Sequence, residues 1–106
     1  MKISKLENYF RGWYVGNFNP SCFETKDFEV GLLQHKKNEY WAPHTHRIAT
    51  EINLLIEGEM IIQNQRLVSG DVFVIEPNEV ADPVFLTDCK LVVIKTPSLP
   101  NDKYNV

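Results

Sequence analysis

Residues 41–58 of the chain read W-A-P-H-T-H-R-I-A-T-E-I-N-L-L-I-E-G. His44 and His46 stand one residue apart, and Glu51 follows closely. Side chains on a strand alternate between faces, so the two imidazoles point the same way and can reach one cation. Zinc, iron, nickel, copper and manganese all accept imidazole, and a carboxylate completes a mixed nitrogen and oxygen site. A short loop lets Glu51 enter the same space from the next strand. Asn53 and Leu55 then share its face, while Ile52, Leu54 and Ile56 face the other way. A histidine pair on a strand is more commonly two ordinary half-buried residues, and a nearby glutamate adds little. The longer spacing distinguishes this stretch: four residues separate His46 from Glu51, and six separate Glu51 from Gly58.

Outward from that stretch, short runs rich in Val, Ile, Phe and Tyr recur between turn residues. They predict strands over 11–15, 28–35, 39–42, 52–56, 60–64, 72–75, 83–86 and 91–95. Regular spacing with Gly, Pro, Asn and Asp between the runs is the pattern of an all-β sandwich or barrel. L-L-I at 54–56 and V-F-V-I at 72–75 are continuously apolar, as in strands covered on both faces. E-G-E at 57–59 and S-G-D at 69–71 read as turns, with Gly58 free to take positive φ. The proline-rich tail after residue 96 is expected to run extended on the surface or against a partner.

The chain has 106 residues, 43% of them hydrophobic and 24% charged, which fits one soluble domain with one core. Its net charge of −3 gives nothing that draws it to nucleic acid or an anionic membrane. The first ten residues carry charges throughout and lack the apolar core of a signal peptide, so a cytoplasmic location is expected. Cys22 and Cys89 are expected to be free thiols. His35, between Gln34 and two lysines, is expected to be solvated.

The spacing of His44, His46, Glu51 and Gly58 resembles the first motif of the cupin family, with Asn38 where that motif opens on glycine. A second motif begins at Gly70 and departs from the family's pattern. Glu76 stands for its proline, Asn78 for its glycine, Ala81 for its third histidine and Phe85 for its asparagine. The resemblance covers roughly residues 28–96 of a single domain spanning 1–106. It implies a cupin-type double-stranded β-helix, a jelly-roll barrel with its site inside.

The resemblance further implies a mononuclear divalent metal, Fe, Mn, Ni or Zn, held by His44, His46 and Glu51. Ala81 cannot be a ligand. Asp82 is its neighbour but faces away on a regular strand, unless a bulge or the bend at Pro83 turns it inward. As a turn aspartate before proline, Asp82 has a simpler reading. Asn53 and Trp41 are expected to line the pocket. The ligand would be a small polar molecule, bound or transformed. The alternative is a metal-independent cupin that binds or isomerises a sugar or sugar nucleotide, its histidines moving protons. A third reading is a non-catalytic dimeric module. A homodimer is expected by analogy, through the N-terminal stretch R-G-W-Y-V-G and the tail.

Overall fold

The computed structural model describes residues 1–106. After two short 3-10 turns, Leu6–Asn8 and Phe10–Gly12, eleven strands follow: Trp13–Gly16 (β1), Phe23–Glu24 (β2), Glu29–His35 (β3), His44–Thr45 (β4), Thr50–Glu57 (β5), Glu59–Ile62 (β6), Gln65–Val68 (β7), Val72–Ile75 (β8), Val84–Phe85 (β9), Cys89–Thr96 (β10) and Tyr104–Asn105 (β11). A six-stranded sheet runs β2-β1-β3-β10-β5-β8, and a three-stranded sheet runs β7-β6-β9. β4 and β11 form a separate pair. This is the all-β architecture expected.

Register explains the interior. On β10, Leu91 pairs with Leu33 and Leu55, Val93 with Gly31 and Asn53, and Lys95 with Glu29 and Glu51. These residues share parity and face inward. One end of the barrel is apolar, with Leu55, Met60, Phe85, Cys89, Leu91 and Val93 all buried. The other end carries a charged row, Glu29, Lys95 and Glu51, side by side across three strands. No ion pair closes this row: Lys95 contributes to none of the chain's three salt bridges.

Gly58 makes the β5–β6 turn with φ of 109°. A Cβ there would lie 2.4 Å from the Asp88 carbonyl oxygen, so both the turn and the close approach require glycine. Gln63 and Asn64, both at positive φ, turn β6 into β7.

Several expectations change. Residues 39–42 form no strand; the extended segment begins at His44. There the Glu39 side chain bonds to its own neighbourhood, accepting from Trp41 Nε1 and the Lys36 amide. β7 is an additional, largely exposed strand. The tail is not a loose surface strap. Tyr104 and Asn105 pair with Thr45 and His44, and Asp102 is buried. No helix is long and apolar enough to cross a membrane. Both cysteines are free, Cys22 exposed and Cys89 buried.

Candidate functional site

His44 lies on β4 and bridges to Ala81 through two hydrogen bonds. The His44 amide donates to the Ala81 carbonyl at 3.0 Å, and the Ala81 amide returns to His44 at 2.8 Å. Ala81, which stands where the resembled motif has its third histidine, therefore lies directly opposite His44 and offers only a methyl group. His46 follows in the loop. The two rings are 5.2 Å apart between centroids and nearly perpendicular, at 86°.

The loop between His46 and Glu51 is pinned from the far end of the chain. Asp102 accepts the amides of Arg47, Ile48 and Ala49 at 2.9, 3.0 and 2.8 Å. The Asn78 amide donates to the His46 carbonyl at 2.6 Å. With both clamps, the backbone fixes the histidine pair relative to β5. Burial pushes the Asp102 carboxyl up, but the three amide donors, Ala49 foremost, outweigh it and hold the group below the ordinary carboxylate range.

Both imidazoles are held neutral. Burial is the main cause for His44, with Lys103 and Lys95 adding repulsion against the Ala42 carbonyl and Glu51. His46 is only 4% exposed. Burial first, then Lys95, lowers its pKa to about 4 despite the opposing pull of Glu51. Burial also raises the Glu29 carboxyl, against the attraction of Lys95.

His46 Nε2 is buried and has no hydrogen-bond partner, which suits a ligand atom. The remaining donors do not gather round it. His44 Nδ1 lies 3.3 Å from the Ala42 carbonyl oxygen, and Glu51 Oε2 accepts from Asn53 Nδ2 at 3.3 Å. Asp82 Oδ1 accepts the Gln63 amide at 2.8 Å and so caps the β6–β7 turn. No three His, Cys, Asp or Glu side chains stand close enough together to hold one ion. As arranged, the residues do not fit a metal centre.

They do fit a polar cavity. An open cavity of about 1520 Å³ is lined at its charged end by Glu29, His44, Glu51, Asn53, Lys95 and Lys103. Trp41 also borders this cavity.

A second polar group forms around His35. His35 is not solvated: its side chain is 9% exposed, stacked on Phe85 with centroids 4.2 Å apart. Its Nδ1 lies 2.6 Å from Glu39 Oε2, which also accepts from Trp41 Nε1 at 2.5 Å. Period-two parity from Glu29, Gly31 and Leu33 was the available signal for an inward His35; the flanking lysines obscured it. Lys95 and Glu29 carried no comparable signal, because only the pairing of three strands sets them beside Glu51.

No protein-family model matches the sequence, and no curated protein matches it. Solved structures do. An uncharacterised conserved protein with a double-stranded β-helix domain from Klebsiella pneumoniae superposes with a TM-score of 0.72 at 19% identity, covering 99% of this chain and 91% of that one. KdgF from Halomonas sp. gives 0.66 at 21%, covering 71% and 74%. An RmlC-like cupin from Shewanella frigidimarina gives 0.65 at 20%, covering 73% and 72%. At these identities the likeness shows the fold, a cupin-type double-stranded β-helix.

Proposed function

We propose that this cupin-fold chain binds a small polar molecule inside its barrel, and that the neutral imidazole of His44 rather than a metal ion serves it there. The single observation behind this reading is the polar end of the cavity. His44, Glu51, Asn53 and Lys95 line one space, yet the carboxylates and imidazoles do not close around an ion. Lys95 offers donors; Glu51 and Asn53 offer acceptors and donors; a neutral histidine can accept or give a proton. A ligand bearing hydroxyl or acid groups would satisfy them. If the ligand is transformed, a proton moved by His44 is the step this arrangement supplies.

The orphaned His46 Nε2 favours the other reading, a divalent metal on His44, His46 and Glu51, which requires these side chains to draw together. Thermal unfolding with a panel of sugars, sugar phosphates and organic acids in EDTA separates the two. The metal-free reading expects a ligand that raises Tm in EDTA and fails to do so in His44→Ala. Stabilisation that disappears with EDTA and returns with Fe, Mn, Ni or Zn contradicts it.

A second copy of the chain is the partner proposed for the outer face of the large sheet. Ile52, Leu54, Ile56, Val72 and Val74 face outward there and remain 37–67% exposed. Register places Leu54 beside Val72 and Val92, and Ile52 beside Val74 and Ile94, so the patch is contiguous. With strands about 4.8 Å apart, it spans on the order of 300–400 Å², beyond what isolated surface aliphatics explain and about half of one side of a standard interface. It faces away from the cavity, so a two-fold pair leaves the mouth open. The N-terminal strand and the tail, expected as the contact, are hydrogen-bonded to β3 and β4 within the chain.

A further inference from the structure

Four cations line the cavity, Lys5, Arg11, Lys95 and Lys103, and none belongs to a salt bridge. Two of them converge on one ring. Arg11 Cζ lies 4.9 Å from the Trp41 ring centroid, and Lys103 Nζ lies 4.7 Å from it. Lys95 Nζ lies 4.9 Å from the Trp13 centroid, deeper in the barrel. A side recess of about 310 Å³ at the mouth is bounded by Arg11, Tyr40, Trp41, Ala42, Lys103 and Asn105.

This placement is built by the fold. The Trp41 indole is tethered through Nε1 to Glu39, which is itself held by His35. Arg11 sits in the left-handed region at φ of 53°, uncommon for arginine and costing of order 1–3 kcal/mol unless the surroundings impose it. They do: Gly12 is pressed so close to β3 that a Cβ would lie 2.1 Å from the Leu32 carbonyl oxygen. Lys103 follows directly on Asp102, the residue that caps the histidine loop. Both cations are thus carried on segments anchored to the site. Their mutual repulsion is felt: partial burial of this largely exposed ammonium, then Lys95 and Arg11, lower the Lys103 pKa against the pull of Glu51. Tyr40, 81% exposed beside them, offers an open aromatic face.

We infer that the barrel's ligand is an anion, and that its carboxylate or phosphate group is held at the mouth by Arg11 and Lys103 beside Trp41. This deepens the ligand-binding reading above and rests on it. An acid group between the two cations relieves their repulsion and gains charge-assisted hydrogen bonds from the guanidinium and the ammonium. The ligand's body then extends toward Lys95, Glu51 and His44. A neutral molecule would leave that repulsion in place.

Tryptophan fluorescence titration of the full chain tests this, because the cations sit against the indoles. The probes are inorganic phosphate, citrate and glucose 1-phosphate, with glucose as the neutral match. At least one anion should give a saturable change that weakens as sodium chloride rises. The double variant Arg11→Gln/Lys103→Gln should weaken it about tenfold or more, while Lys26→Gln, outside the cavity, leaves it unchanged. Arg11 and Lys103 are exposed, and an unaltered unfolding curve verifies that the double variant folds. Preference for citrate over the phosphates, or the reverse, identifies the acid group. No saturable response to any anion, or one unchanged in the double variant, overturns the inference. If glucose alone binds and His44→Ala abolishes it, the anion class falls and the polar-pocket reading stands. If an anion binds through Arg11 and Lys103 but ignores His44→Ala, the anion site stands and the pocket reading falls.

Discussion

The Asp102 carboxylate accepts the Ala49 amide at 2.8 Å across 53 positions of sequence. With the amides of Arg47 and Ile48 on the same side chain, the tail fixes the loop between His46 and Glu51. A site read as local, two histidines and a glutamate within eight residues, is therefore held by a residue near the other end of the chain.

Replacing that carboxylate should loosen the site and the fold together. Asp102→Ala strands three amides at a buried position and should cost about 2–4 kcal/mol. Urea unfolding measures it. A loss under about 0.5 kcal/mol would show that water replaces the cap without penalty.

Acid should destabilise the protein in two stages. His46 titrates at about 4 in the fold, below its ordinary 6.5, so the unfolded chain binds the proton more readily. Its contribution is fully present above the unfolded value and is lost as pH falls from 6.5 toward 4. Asp102 is also held low, so its contribution is present above its unfolded value of 3.8 and is lost on further acidification. Unfolding free energy against pH, followed in wild type and His46→Gln, should show the first stage reduced in the variant, with His44, also held low, supplying what is left of it. Identical profiles would contradict the assignment.

Lys95 is the second cause of the His46 shift after burial. Lys95→Met should move the His46 titration upward. Imidazole resonances followed by NMR report it. A His46 titration unmoved by the substitution would leave burial and the neighbouring His44 as the causes.

The outer sheet face should govern association. Light scattering behind size exclusion should show a dimer for the wild type and a monomer for Leu54→Lys, since a buried, unpaired ammonium is costly at an apolar interface. A wild type that stays monomeric at high micromolar concentration would contradict the proposed partner.

The strands of the barrel were legible because period two is a local property. Glu51, Asn53 and Leu55 face in, and Ile52, Leu54 and Ile56 face out, as alternation requires. What depends on pairing was not legible. Glu29 and Lys95 join Glu51 only through the β3–β10–β5 register. β7, Gln65–Val68, has mostly exposed side chains and no apolar run to announce it. The tail strand is two residues long, and its partner lies some sixty positions earlier. His35 was obscured by two lysines, although its parity was already set by Leu33 and Gly31.

Whether His44 serves a small ligand alone or within a metal centre is decided by elemental analysis. Protein purified without chelator is incubated with Fe, Mn, Ni or Zn, desalted and measured by mass spectrometry. Retained metal far below one equivalent per chain, unchanged in His46→Ala, is expected of the metal-free pocket. A stoichiometry near one that His46→Ala removes would overturn it.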